Sequence, residues 1–210
     1  MITFKKLSPS FYRQPTLDVA KALLGKILVR SIEGGQIAGR IVETEGYIAA
    51  TDAACHAYRG ETARNRSMFG PAGTAYIYRS YGIHWMLNIV TEPEGEAGAV
   101  LLRALEPLET LEQNLHTLRR NRANANRALE KKLTVVQLAN GPGNLTKAFA
   151  IDRRLDGVSL QSDELFIATA PEVSATDVVV TTRVGITQGR ALPWRYFIKA
   201  NPFVSKGRPS

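Results

Sequence analysis

Glu43 and Glu45 sit two residues apart in the run Gln36 to Tyr47, which otherwise reads as a β-strand, and Tyr47 follows them at the same spacing. A strand points every second side chain to one face, so Ile41, Glu43, Glu45 and Tyr47 are expected side by side if the strand stays regular. Carboxylates at such positions need partners, because an unpaired charge inside a protein is very costly. The stretch Arg40 to Asn88 supplies candidates: Cys55-His56, Arg64-Asn65-Arg66, and the segment from Thr74 through Tyr76, Tyr78 and Arg79 to Tyr81-Gly82. Charged and aromatic groups packed this densely between short apolar runs mark a site more than a core segment.

Charge bears on what that site would meet. Across 210 residues, 27 Lys and Arg against 19 Asp and Glu give a formal net charge of +8. That balance favours a polyanionic partner, with nucleic acid first, although many proteins are basic for no such reason. A hydrophobic share of 44% suits one ordinary core, and a single domain spanning 1–210 is expected. Cys55 is the only cysteine, which excludes an intrachain disulfide, a four-cysteine zinc site and an all-cysteine iron–sulfur cluster. His56, His84 and His116 lack the spacing of known metal-ligand motifs, so neither metal nor other cofactor is expected. Met1 to Arg13 lacks the continuous apolar segment of a signal peptide, and no run reaches membrane-span length. The expectation is an intracellular protein, cytoplasmic or at the nucleoid, or nuclear in a eukaryote, acting as a monomer away from membranes.

In chain order, Thr16 caps a short helix, Leu17 to Leu24, stopped by Gly25. Lys26 to Arg30 and Gln36 to Thr44 read as strands around the turn Glu33-Gly34-Gly35. Thr51-Asp52 caps a helical turn through His56, and a cationic loop runs from Tyr58 to Pro71. Thr74 to Ser80 and Ile83 to Val90 form a hairpin joined at Tyr81-Gly82, which places Tyr81 at a protruding tip. Tyr76 and Tyr78 share one face of it, as do His84, Met86 and Asn88. Ala97 to Leu105 is a further strand, interrupted by Arg103. Thr110 to Lys132 is helical and basic, and the turn Asn140 to Asn144 leads into a helix whose first amides face an anion. Strands return at Glu164 to Ala168, Val178 to Gly185 and Tyr196 to Ala200, and residues 205–210 read as a frayed tail. The class is α+β, a mixed and mainly antiparallel sheet with surrounding helices.

Several chemistries remain open on these residues. Glu45 suits a general base beside aromatic surface, and a structural ion pair with a nearby arginine is its plain alternative; Glu43 competes for either role. Tyr47, His56, Tyr76 and Tyr78 suit the walls of a pocket for a flat ligand, or ordinary core. Tyr81, exposed at a turn, suits a wedge between stacked bases. Arg64, Arg66, Arg103 and the cluster Arg119 to Arg127 are candidates for phosphate contact, as are Gly141 and Asn144 through the helix entry. Cys55 beside His56 makes a poor nucleophile, since sequence neighbours do not face each other on a helix.

Set in order, these motifs resemble the alkyladenine type of 3-methyladenine DNA glycosylase. The resemblance runs through GRIVETEGY at Gly39–Tyr47, DAACH at Asp52–His56, RNRSMF at Arg64–Phe69, PAGTAY at Pro71–Tyr76, Tyr81-Gly82, LLRALEPL at Leu101–Leu108, LANGP at Leu138–Pro142, RVGI at Arg183–Ile186 and NPFVS at Asn201–Ser205. It implies an enzyme of base-excision repair that flips a damaged purine out of duplex DNA and hydrolyses its N-glycosidic bond without cutting the strand. By position, Glu45 would deprotonate the attacking water with help from Arg103. Tyr47, His56 and Tyr78 would enclose the base, Asn88 would select against normal guanine, and Tyr81 would fill the gap in the stack. The basic segment Thr110 to Lys132 matches poorly and takes no role from the resemblance. Two rivals stand beside this reading: a nucleic-acid-binding module without catalysis, and an enzyme acting on a small purine or on RNA.

Overall fold

A computed structural model describes residues 3–111 and 113–205. The chain opens with helices α1 (Pro9–Tyr12) and α2 (Thr16–Ala22), then strands β1 (Ile27–Ile32) and β2 (Gly35–Ile48). The hairpin β3 (Ala75–Ser80) and β4 (His84–Thr91) follows, then β5 (Gly98–Pro107), α3 (Asn114–Ala123), α4 (Arg127–Lys132) and α5 (Pro142–Ala148). Strands β6 (Leu165–Ala168), β7 (Val178–Thr181) and β8 (Arg195–Ile198) close the chain. All strand pairs are antiparallel, in the order β3-β4-β5-β2-β1-β6, with β8 paired to β2 and β7 to β8. The fold is α+β, as expected.

β2 organises the sheet. Its first half pairs with β1 up to Arg40; from Glu43 to Glu45 that edge passes to β8, while β5 lines the other edge from Gly39 to Ile48. The two carboxylates therefore lie in the middle of the sheet, and neither is accessible to solvent. The strand is not regular there. Ile41 faces Leu105, Glu43 faces Ala104 and Thr44 faces Leu102, so the ladder skips Val42 on β2 and Arg103 on β5. Ile41 and Val42 both join the main core in consequence, and Ile41 leaves the face it was expected to share with Glu43. A bulge of this kind changes the alternation without breaking the strand.

One face of the sheet carries that core, with α2, α3 and α5 packed on it. Gly46 is needed here for close approach, since a Cβ on it would stand 2.7 Å from Leu17 Cδ2. Cys55, Ala57, Met68, Tyr76, Val90, Ala97 and Ala99 form a smaller cluster, with Tyr47 and Tyr78 partly buried against it. The hairpin ends where expected: Tyr81 and Gly82 take positive φ, 48° and 67°.

Four sequence expectations are corrected. The basic helix breaks in two because Asn124 and Ala125 adopt left-handed φ of 47° and 67°. β7 ends at Thr181, four residues early, and the chain from Arg183 turns toward the second half of β2, at Glu45 and Gly46, rather than continuing the ladder. The segment after Asp52 consists of turns, one closed by Asp52 Oδ1 accepting from the Ala54 N–H at 3.0 Å. Ser205 is no frayed end: its N–H donates to Glu43 Oε2 at 2.7 Å. The rest of that expected tail, 206–210, lies outside the described residues. Among those described, no helix is long and apolar enough to cross a membrane.

Candidate active site

An open cleft of about 540 Å³ lies where β2, the β3–β4 hairpin and the Val184–Ile186 segment meet. Tyr47, His56, Tyr76, Tyr78, Asn88 and Arg103 line it, with Tyr81 at its rim. The hairpin register explains the grouping: Tyr76 faces Asn88 and Tyr78 faces Met86, so cross-strand neighbours present one wall together. His56 comes in from the turn after Asp52. Its ring stands edge-on to Tyr78 at 4.2 Å between centroids, and its Nδ1 lies 3.1 Å from the Tyr76 hydroxyl. Asn88 is buried at the floor and donates its amide to the Tyr76 carbonyl at 3.2 Å. The aromatic residues singled out in the sequence are thus brought to one place.

Glu45 sits directly behind the wall. Its Oε2 accepts from the Tyr47 hydroxyl at 2.8 Å and lies 3.3 Å from Arg103 Nη1, while Oε1 accepts from the Val184 N–H at 2.8 Å. All three of these partners line the cleft. Glu43 behaves differently. Its Oε1 accepts from Arg103 Nε at 2.8 Å, Arg195 Nε at 2.7 Å and Ser205 Oγ at 2.9 Å, and its Oε2 from the Ser205 N–H. Four hydrogen bonds, three on Oε1 and one on Oε2, commit this carboxylate to its structural partners. Of the donors to Glu43, only Arg103 touches the cleft.

Electrostatics follow from this arrangement. Burial opposes the charge on Arg103, but Glu45 and Glu43 outweigh it and hold the guanidinium above its ordinary value. A phosphate contact is therefore not open to Arg103, which is buried and engaged by carboxylates; its position inside an apolar strand was the visible sign. Burial, then the nearby Glu45 charge, raises the Tyr47 hydroxyl well above its usual range and pushes Tyr78 up to about 12. Both remain neutral donors at pH 7. His56 is lowered, by burial and then by the Arg64 guanidinium, and is neutral as well. Cys55 is buried and its thiol is pushed up to about 11, chiefly by desolvation, which removes it as a nucleophile.

The expected DNA contacts scatter around this centre. Tyr81 is 88% exposed at the hairpin tip. Arg64 lines the cleft and donates to the Arg79 carbonyl at 3.1 Å, whereas Arg66 pairs with Glu61 on the open surface. Gly141, with φ of 97°, is the N-cap of α5, and Pro142 after it reaches the cleft. The Asn144 side chain turns inward and donates to the Asn140 carbonyl at 2.9 Å, leaving its backbone amide as the group facing the helix entry. Three residues that the sequence reading did not count among the site residues belong to the site: Asp52, read there only as a turn cap, Arg183 and Val184. Asp52 and Arg183 form a fully buried pair behind Tyr47. Only their places in the DAACH and RVGI motifs signalled them.

A flat, aromatic-walled cleft with a carboxylate behind it suits recognition of a purine. The model of the methylpurine-DNA glycosylase family matches residues 10–202. The chain belongs to that family. It is 45% identical to a protein of Chlorobium luteolum over 98% of this chain and 99% of that one, and 46% identical to one of Chlorobaculum parvum over 97% and 92%. A Carboxydothermus hydrogenoformans protein is 44% identical over 95% and 98%. Each relative bears the name "Putative 3-methyladenine DNA glycosylase". As a methylpurine-DNA glycosylase, the protein is a DNA repair hydrolase acting on N-glycosyl bonds.

Proposed function

We propose that this glycosylase flips a damaged purine nucleotide out of duplex DNA into the cleft and hydrolyses its glycosidic bond with Glu45 as general base. The observation that carries the reading is that Glu45, unlike Glu43, takes all its identified partners from residues lining the cleft. Glu45 accepts a proton from water, the water oxygen bonds to C1′ of the sugar, and the C1′–N bond breaks toward the purine. A 3-methyladenine or 7-methylguanine nucleotide carries positive charge and leaves as a neutral base, so a positioned water suffices and no metal is required; hypoxanthine and etheno-adenine start neutral and take up a proton from solvent as they leave. Arg103 orients the carboxylate from the cleft side. The product is an abasic site, and because no lysine attacks the sugar the strand stays whole.

Tyr47, His56 and Tyr78 enclose the base, with Tyr76 fixing the His56 ring through its hydroxyl. Asn88, its amide held by the Tyr76 carbonyl, selects against normal guanine. Tyr81 fills the space left in the stack, which offsets part of the few kcal/mol that flipping costs. Arg64, Arg66 and the amides at Gly141 and Asn144 meet the phosphates. The substrates are of the 3-methyladenine, 7-methylguanine, hypoxanthine and etheno-adenine class, and one molecule folded as a single domain acts alone.

Release of free base from methylated duplex DNA, and from a duplex with one hypoxanthine, compared between wild type and Glu45→Gln, tests this. Loss of the base is expected to slow release about 10²–10⁴-fold with DNA binding retained. Equal release by both would move the base elsewhere, and binding without release by the wild type would mean a silent module.

A further inference from the structure

We infer that the buried Arg183–Asp52 pair is a positioning device for the general base, acting through three separate contacts on the groups that hold Glu45. The inference rests on the reading of Glu45 given above. Arg183 and Asp52 are both fully buried, and the guanidinium bonds the carboxylate twice, Nη1 to Oδ2 at 2.5 Å and Nη2 to Oδ1 at 2.8 Å. Burying an ion pair is not in itself a stabilising choice, since apolar residues of similar volume often do as well. What apolar residues would not supply is the rest of the geometry.

Nη1 of Arg183 also donates to the Gly46 carbonyl at 3.0 Å, the backbone position between Glu45 and Tyr47. Its guanidinium carbon lies 4.6 Å from the Tyr47 ring centroid and 5.1 Å from that of Trp194, so the cation supports the ring from behind. That ring's hydroxyl is the donor to Glu45 Oε2. The peptide following Arg183 supplies the Val184 N–H that donates to Glu45 Oε1. One side chain thereby fixes the strand on which Glu45 stands, the phenol on one of its oxygens and the amide on the other. Asp52 sets the guanidinium plane and, four residues on, its own turn delivers His56 to the cleft. The backbone is shaped around the pair: a Cβ on Gly189 would stand 2.8 Å from Asp52 Oδ1 and 2.9 Å from Arg183 Nη2. Neither residue lines the cleft, so both work at one remove from substrate.

The test compares Asp52→Asn and Arg183→Lys with wild type on a hypoxanthine duplex under single-turnover conditions, and on a duplex bearing a tetrahydrofuran abasic-site analogue for affinity. Asp52→Asn leaves the Arg183 charge buried without its anion, so the double variant Asp52→Leu/Arg183→Met, which removes both charges at similar volume, supplies a folded protein where the single variants unfold. Base release slowed 10- to 100-fold, with the affinity for the analogue within threefold of wild type and unfolding above the assay temperature, is the expected result. Release within threefold of wild type in a folded variant overturns the proposal. So does a loss of rate matched by an equal loss of affinity, which would mark general loosening. Glu45→Gln measured alongside separates the two readings: if it still releases base, the general-base assignment fails whatever Asp52→Asn does.

Discussion

Glu43 and Glu45 stand on the same strand, are equally inaccessible, and share one arginine, yet they differ in what surrounds them. Glu43 is filled by Arg103, Arg195 and Ser205 and anchors β5, β8 and the chain after Asn201 at the sheet's centre. Glu45 is held by groups that themselves form the cleft. Residue type and burial do not distinguish the two carboxylates; the destination of their partners does. Arg103 connects the two, with Nε on Glu43 and Nη1 toward Glu45.

The sharpest way to break this comparison is to remove Glu43. Glu43→Ala leaves Arg103 and Arg195 buried without their shared anion, and a loss of about 3–5 kcal/mol of unfolding free energy in urea titration is expected. A folded Glu43→Ala protein of normal stability that no longer releases base would exchange the two roles. Next in size is Tyr81→Ala. Release from duplex DNA should fall about 10- to 100-fold, on the order of the few kcal/mol of flipping, while release from single-stranded DNA stays near wild type. Equal losses on both substrates would place Tyr81 in the chemistry rather than in the stack.

Ser205→Ala is milder. It removes one hydroxyl bond to Glu43 and a 3.3 Å contact with Arg103, and a cost of about 1 kcal/mol is expected in denaturation with affinity for damaged DNA unchanged. A change in affinity would mean that the Glu43 side does reach the cleft. The smallest effect concerns pH. The His56 pKa is lower in the folded protein than its ordinary value of 6.5, so below that value the unfolded chain binds more protons and stability falls as pH drops. His56→Gln should flatten the stability–pH curve slightly between pH 7 and 5.5, and an unchanged curve would detach His56 from the burial and Arg64 effects described.

The sequence conveyed the site better than the sheet. The aromatic wall was legible because Tyr76, Tyr78 and Asn88 lie on two strands joined by a tight turn, where alternation and register leave little freedom. Which carboxylate is held by the cleft was not legible from the residues themselves, and only the resemblance pointed to Glu45, because that depends on Arg195, Val184 and Ser205, more than a hundred residues away from Glu43 and Glu45. Bulges escape alternation by their nature, so the departure of Ile41 was invisible. Asn124 and Ala125 ended the basic helix through left-handed backbone, which asparagine tolerates but alanine rarely signals. Arg103 could be read as unusual from its apolar neighbours, but whether it met a phosphate or a carboxylate could not.

The distances along the chain over which Glu43 is satisfied bear on how the protein is made. Its donors come 60, 152 and 162 residues after it. During synthesis from the N-terminus, β1, β2, the hairpin and β5 can associate while β8 is still untranslated. In that interval Glu43 has Arg103 but neither Arg195 nor Ser205, and a partial fold that buries it with most of its donors missing is penalised. The middle of the sheet is therefore complete only once Arg195 and Ser205, near the far end of the described chain, are in place.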